Sequence, residues 1–286
     1  MSLALNDPSR RAAILNSDLE KINSWAKQWK VSFNEEKTEL LTFKKDNHPV
    51  YSLSFGNIVL EDKECQKHLS LIFQIKCKWE KHIKSLIRKV TLLISCLRSF
   101  KYKLSRKAVE TMYKSFVLPQ FDYAGIVWDN CSGTKSNMLE NLDLEALLII
   151  VRAVKGTNHE KSYEESRFCT LKERRKRHKL LMFYKMINYL SNLVPPLVST
   201  TNPYYRRRPY ERVIPAHKTD LYANSFIPST IQLWNTLPQT IQAHPSISLL
   251  KKYLSRNGTM FPIYYYFGPR KEQVKHCKNF DLLLAT

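Results

Sequence analysis

From Trp79 the sequence takes up a helical period and keeps it. Trp79, Ile83, Leu86/Ile87, Val90, Leu93/Ile94 and Leu97 recur at steps of three and four, with Lys81, Lys84, Arg88 and Lys89 mostly off the stripe. Residues spaced that way line one face of a helix and have to be buried against other elements. The same period returns downstream. Ser105 is placed to cap a helix running through Ala108, Met112 and Phe116 to a stop at Pro119. A third helix is expected over about 138–154, and a fourth, very basic at its start, over 171–193 before Pro195-Pro196. Shorter helices fit 228–237 and 247–254. Only 6 of 286 residues are Gly, which argues against Gly-rich phosphate loops and arrays of tight hairpins, while 43% hydrophobic residues suffice for a core.

The first seventy-odd residues read differently. Asp7 and Pro8 suit a helix start, and Leu15, Leu19, Ile22, Trp25 (with Ala26) and Trp29 make its apolar face. Val31–Asn34 and Thr38–Phe43 are strand-like. Val50–Phe55 and Ile58–Leu60 flank Gly56-Asn57, a hairpin dipeptide, and Leu69–Phe73 is a further short strand. Near the other end, Phe261–Phe267 is again strand-like. The expected class is α+β, mainly α, without internal repeats.

Charge narrows the partner. Lys and Arg number 46 against 25 Asp and Glu, for a net +21 and a pI near 9.7. The excess is not uniform: residues 1–43 are neutral, 44–118 carry +10, 119–170 carry −3 and 171–286 carry +14. Two basic blocks around an acidic middle point to a polyanion, nucleic acid first. Lys172, Arg174, Arg175, Arg177 and Lys179, with Arg206, Arg207 and Arg208, form the strongest candidate group for phosphate contacts. A solvated basic face is the alternative for these residues and for Lys81, Lys84 and Arg88.

Several chemistries find no support. Cys65-x-x-His68 has no second ligand pair nearby, and His276-Cys277 is adjacent, poor geometry for one tetrahedral ion, so no metal site is expected. Gly-x-Ser-x-Gly, Walker and His-Glu-x-x-His patterns are missing. Two-metal phosphoryl transfer needs carboxylates clustered on rigid strands, whereas Glu35-Glu36, Glu61-Asp62 and Glu164-Glu165 lie outside apolar strand text and Asp122 stands alone in its own. The 6 scattered Cys suit reduced thiols, no apolar run approaches the ~20 residues of a membrane span, and no secretory leader is visible. An intracellular chain, cytoplasmic or nuclear, without membrane contact is expected.

Five segments, in order, resemble the C-terminal part of reverse transcriptases of non-LTR, jockey-like retrotransposons. They are Ala13–Trp29 with Val31–Glu39, Lys67–Phe73, Tyr113–Pro119, the pair Asp122–Ala124 and Val127–Cys131, and Ser225–Pro238. The resemblance places residues 2–5 just after that family's catalytic aspartate pair. It implies a palm remnant with a primer-grip-like hairpin (1–75), a helical thumb-like region (76–194), a basic linker (195–217) and a C-terminal extension (218–286). Lys37 falls where the family places a Lys beside the incoming triphosphate, with a solvated strand-end Lys as the alternative, and Lys67 and His68 fall in the primer-grip segment. Ser70 stands where the family usually has Gly. Magnesium serves the intact family enzyme and none is expected on this chain. The implied partners are an RNA–DNA hybrid, RNA or DNA, and a separate palm and fingers polypeptide. The chain alone is expected to bind nucleic acid without synthesis. The alternatives are a stand-alone basic nucleic-acid-binding module, or a degenerate element remnant without selected function.

Overall fold

The computed structural model describes residues 8–34, 37–43, 52–56, 58–154, 156–189, 210–243 and 246–256. Its first element is helix α1 (Pro8–Gln28), followed by two antiparallel hairpins, β1 (Leu53–Phe55) with β2 (Ile58–Leu60) and β3 (Cys65–His68) with β4 (Leu71–Gln74). Helices then take over: α2 (Glu80–Ser99), α3 (Arg106–Met112), a wide π-type turn over Tyr113–Val117, α4 (Leu118–Asp122), α5 (Gly125–Trp128), α6 (Gly133–Ile150), α7 (His159–Ser166) and α8 (Leu171–Tyr189). Beyond them lie α9 (Asp220–Ala223), α10 (Phe226–Asn235), α11 (Gln239–Gln242) and α12 (Ile247–Arg256). The class is α+β, mainly α.

The apolar stripe of α2 is the spine of the main core. Ile83, Leu86, Val90, Ile94 and Leu97 are buried on it, against Val109, Tyr113 and Val117, the α6 residues Leu139, Ala146, Leu147 and Ile150, and Leu71 of β4. Each such side chain contributes roughly 1.5–3 kcal/mol through the apolar area it removes from water. Ser105 caps α3 as expected, its hydroxyl accepting from the Ala108 N–H at 3.3 Å. The helix does not stop at Pro119. The wider π turn precedes it, and Pro119 occupies the first turn of α4, where a missing N–H and a fixed φ are tolerated.

A second core joins Leu180, Leu181, Phe183 and Tyr184 of α8 to Ile231 and Trp234 of α10 and to Leu250 and Leu254 of α12. Helix α8 is common to both cores, because Leu171 at its start belongs to the first. A third, small cluster places Leu53, Phe55 and Leu60 of the first hairpin against Ala12 and Leu19 of α1 and against Leu40.

The face that α1 turns to its hairpin only partly follows its apolar text: of the predicted stripe Leu19 packs there and Ala26 is buried. Ala12, Asn16 and Leu19 face the strands, and the Asn16 carboxamide accepts from the Ser54 N–H at 3.0 Å and donates to the Ser52 carbonyl at 3.3 Å. Leu15, Ile22, Trp25 and Trp29 are exposed, Trp29 at 66%. Strand pairing is also sparser than the sequence suggests. Val31–Asn34 carries none, and from Thr38–Phe43 only Leu40 bridges, in parallel, to Asp62. Asp7, residues 2–5, Asn57, Phe261–Phe267, Arg206–Arg208 and most of the expected linker lie outside the described residues.

Candidate functional site

The predicted cations fall into two groups with opposite surroundings. On α8 most of them point inward. Arg175, Arg177 and Lys179 are buried at 4% exposure each, and Arg174 is largely covered. Arg174 grips Asp122 with two parallel hydrogen bonds, its Nε donating to Oδ1 at 3.0 Å and its Nη2 donating to Oδ2. Burial works against that charge, but the hydrogen bond and the carboxylate of Asp122 outweigh it and hold the guanidinium above its ordinary pKa. Arg175 donates from Nε to Asp129 at 2.6 Å and from Nη2 to Ser136 at 2.9 Å, and its guanidinium lies 5.5 Å from the Trp128 ring centroid. Lys179 bridges two elements, with Nζ 2.5 Å from Asp129 Oδ2 and 3.0 Å from the Ser229 hydroxyl of α10.

Even the helix start is occupied. The Glu140 carboxylate of α6 accepts the N–H groups of Leu171 at 3.0 Å and Lys172 at 2.6 Å, satisfying two donors that begin α8 without an intrahelical partner. Arg177 lies 3.5 Å from Glu173. Only Lys172 of the predicted α8 set stands exposed. These four side chains therefore present little charge to a phosphate: Asp122, Asp129 and Glu140 of the acidic middle fold against Arg174, Arg175 and Lys179, while Arg177 is buried beside Glu173 of its own helix. Buried cations of this kind are paired because an unpaired one is far costlier than an exposed one.

Beneath this network lies Asp143 of α6, fully buried. The Tyr113 hydroxyl donates to its Oδ1 at 2.5 Å and the Tyr163 hydroxyl approaches Oδ2 at 3.4 Å. Burial pushes the Asp143 carboxyl up to about 7 against the stabilising bond from Tyr113, and burial also raises both phenols. Between α6, α8 and α10 an open cleft of about 820 Å³ is lined by Asn137, Asn141, Lys172, Lys176, Gln232 and Thr236 among others.

The second group is on the surface. Lys67 and His68 of β3 and Lys81, Lys84 and Arg88 of α2 are all exposed. Hairpin and helix are fastened together. The Gln74 carboxamide accepts the Lys81 N–H at 2.9 Å, capping the first turn of α2, the Phe73 and Trp79 rings meet at 5.4 Å, and Leu71 enters the main core. Lys81 Nζ lies 3.2 Å from Cys65 Sγ. None of the five is paired with a carboxylate among the described residues. Lys37 is exposed too, in a short turn where its N–H reaches the Asn34 side chain at 3.1 Å.

Asp122, Asp129 and Glu140 are the residues that sequence reasoning missed. The available signal was an acid set in apolar text, Phe121-Asp122-Tyr123 and Val127-Trp128-Asp129, which calls for a buried cation. Among the described residues no group of three His, Cys, Asp or Glu could hold a metal ion. No described helix is long and apolar enough to cross a membrane.

Over 111 residues the chain is 27% identical to the retrovirus-related Pol polyprotein from type-1 retrotransposable element R1 4 of Nasonia vitripennis. The matched stretch is 38% of this chain and 28% of that relative, so the chain spans well under a third of the polyprotein it matches. This similarity supports a retrotransposon-related origin. No family model matches the sequence, and no solved structure matches it.

Proposed function

We propose that the chain is a piece of a retrotransposon reverse transcriptase that follows the catalytic aspartates and grips the backbone of a nucleic-acid duplex without synthesising DNA alone. One observation carries the reading: Lys67, His68, Lys81, Lys84 and Arg88 stand exposed on a hairpin and a helix that are fastened together, with no carboxylate paired to them among the described residues. The interior ion pairs sharpen it, because they engage Arg174, Arg175 and Lys179 within the fold, whereas the cations of this face stand exposed. Similarity to a retrotransposon polyprotein supports the choice of nucleic acid over other polyanions. The geometry suits positioning: separate point charges on two elements follow a backbone and read no sequence.

The test is a salt titration of binding to a fluorescent RNA–DNA hybrid by the full chain and by the triple variant Lys67→Ala/Lys84→Ala/Arg88→Ala. Each phosphate left without its cation takes roughly 0.7–0.9 off the slope of log K against log salt, so the variant binds more weakly and with a slope shallower by about 2–3. A variant that keeps both affinity and slope overturns the assignment of this face. Equal binding of the wild type to heparin and to the hybrid favours a non-specific basic module instead.

A further inference from the structure

The loop between β3 and β4 is only two residues long, because His68 pairs with Leu71. Those two residues, Leu69 and Ser70, both lie in the left-handed region, at φ 46° and 66°. Asn-Gly takes up such a turn readily; Leu followed by Ser does so only under constraint, since each Cβ crowds its own backbone. Burial does not compensate, for Leu69 is 73% exposed. The constraint comes from outside the hairpin: the Tyr123 hydroxyl, 54 residues away in sequence, donates to the Leu69 carbonyl at 2.6 Å. Tyr123 is itself held at both ends of its backbone. Its N–H donates to the Pro119 carbonyl at 3.0 Å and its own carbonyl accepts the indole N–H of the buried Trp128 at 3.2 Å.

We propose that Tyr123 is a positioning residue for the β3–β4 tip, locking Leu69 and Ser70 in their left-handed turn so that Lys67, His68 and Leu69 meet a nucleic-acid duplex as one rigid contact. Lys67 and His68 lead the strand into the turn, placed for phosphates. The exposed Leu69 offers an apolar surface to a sugar or base edge, as wedge residues do in other nucleic-acid binders. This inference rests on the surface proposed above, and its test separates the two.

Anisotropy titrations of the full chain with a labelled RNA–DNA hybrid compare the wild type, Tyr123→Phe, Tyr123→Phe/Ser70→Gly and the triple cation variant. Tyr123→Phe keeps the ring and every cation, so affinity falls about fivefold, the weight of one hydrogen bond, at an unchanged salt slope. Amide exchange at Leu69–Leu71 speeds up alongside. Adding Ser70→Gly restores affinity without the hydroxyl, because Gly adopts the left-handed backbone freely. Wild-type affinity in Tyr123→Phe beside a weakened triple cation variant overturns the positioning role and leaves the surface standing. So does a loss that Ser70→Gly fails to recover, since the hydroxyl would then act elsewhere. If neither Tyr123→Phe nor the triple variant weakens binding, the surface itself is misassigned and the positioning role falls with it.

Discussion

Asp143→Asn is expected to make the protein more stable, by an amount that grows with pH. The wild-type carboxyl is raised from 3.8 to about 7 in the folded state, with burial the main cause. Its surroundings are the Tyr113 and Tyr163 hydroxyls, with the charges of Glu140 and Arg174 further off. Because the folded-state pKa is raised, the native protein binds the proton more tightly than the unfolded chain does. Its contribution is fully present below about pH 4 and is lost as pH rises to about 7, above which it is constant. A shift of about 3 units corresponds to about 4 kcal/mol between those limits. At pH 5 less than half of that loss has been incurred, so between pH 5 and pH 8.5 the advantage of the Asn variant grows by about 2–3 kcal/mol. The carboxamide oxygen still accepts from Tyr113, which keeps the shorter of the two contacts. Urea denaturation of both proteins across this range reads the difference directly, and other titrating groups cancel. A difference that is flat with pH refutes the reasoning, for it would mean that Asp143 is ionised or solvated in the folded protein.

Three further expectations follow from the charge map and the small helix. Arg175→Met removes a buried guanidinium from Asp129 and Ser136 and costs about 3–5 kcal/mol in thermal or urea unfolding, whereas Lys172→Ala on the exposed side of the same helix stays within about 0.5 kcal/mol; equal effects would place Arg175 at the surface. Trp29→Gln, at a site 66% exposed, is expected to leave stability within about 0.5 kcal/mol, and a loss above about 2 kcal/mol would show that this face is covered. Ser105→Ala removes the α3 cap and lowers stability by about 1 kcal/mol, and an unchanged unfolding midpoint would count against the cap.

How far the sequence discloses the structure depends on the range of the interaction involved. The α2 stripe and the Ser105 cap are local patterns, carried by residues within a few turns of one another, and both are found where the pattern places them. Gly56, at φ 62°, opens the first hairpin for the same reason. The basic start of α8 misleads because the carboxylates that hold Arg174 and Arg175 by hydrogen bonds lie 52 and 46 residues upstream, so a charge count along the chain sees only excess cation. A subtler sign was available. Leu171, Arg175, Lys179 and Phe183 are four apart and share one helical face, so two cations occupy positions on an inward stripe. The apolar text of α1 misleads in the opposite sense. Its period correctly gives a helix and includes Leu19, but the rest of the face that meets the hairpin is Ala12 and the two bonds of Asn16, which no periodicity reveals. At the candidate surface, exposure of Lys84 and Arg88, off the α2 stripe, is legible, while the hold of Tyr123 on the hairpin tip is not, since it depends on a single contact across 54 residues.

Helix α8 is a party wall. Its first turns close one core, its last turns close the other, and the Lys179 bridge from Asp129 to Ser229 is mortar between them. Neither core can be opened at that wall without exposing the other, so α2 through α12 should melt as one cooperative block. The cluster of α1 with β1 and β2 shares no buried residue with either core and can come apart at a lower temperature. In a calorimeter such a chain gives a small early transition followed by a large late one, and proteases admitted at the first would trim the α1 region while leaving the block intact.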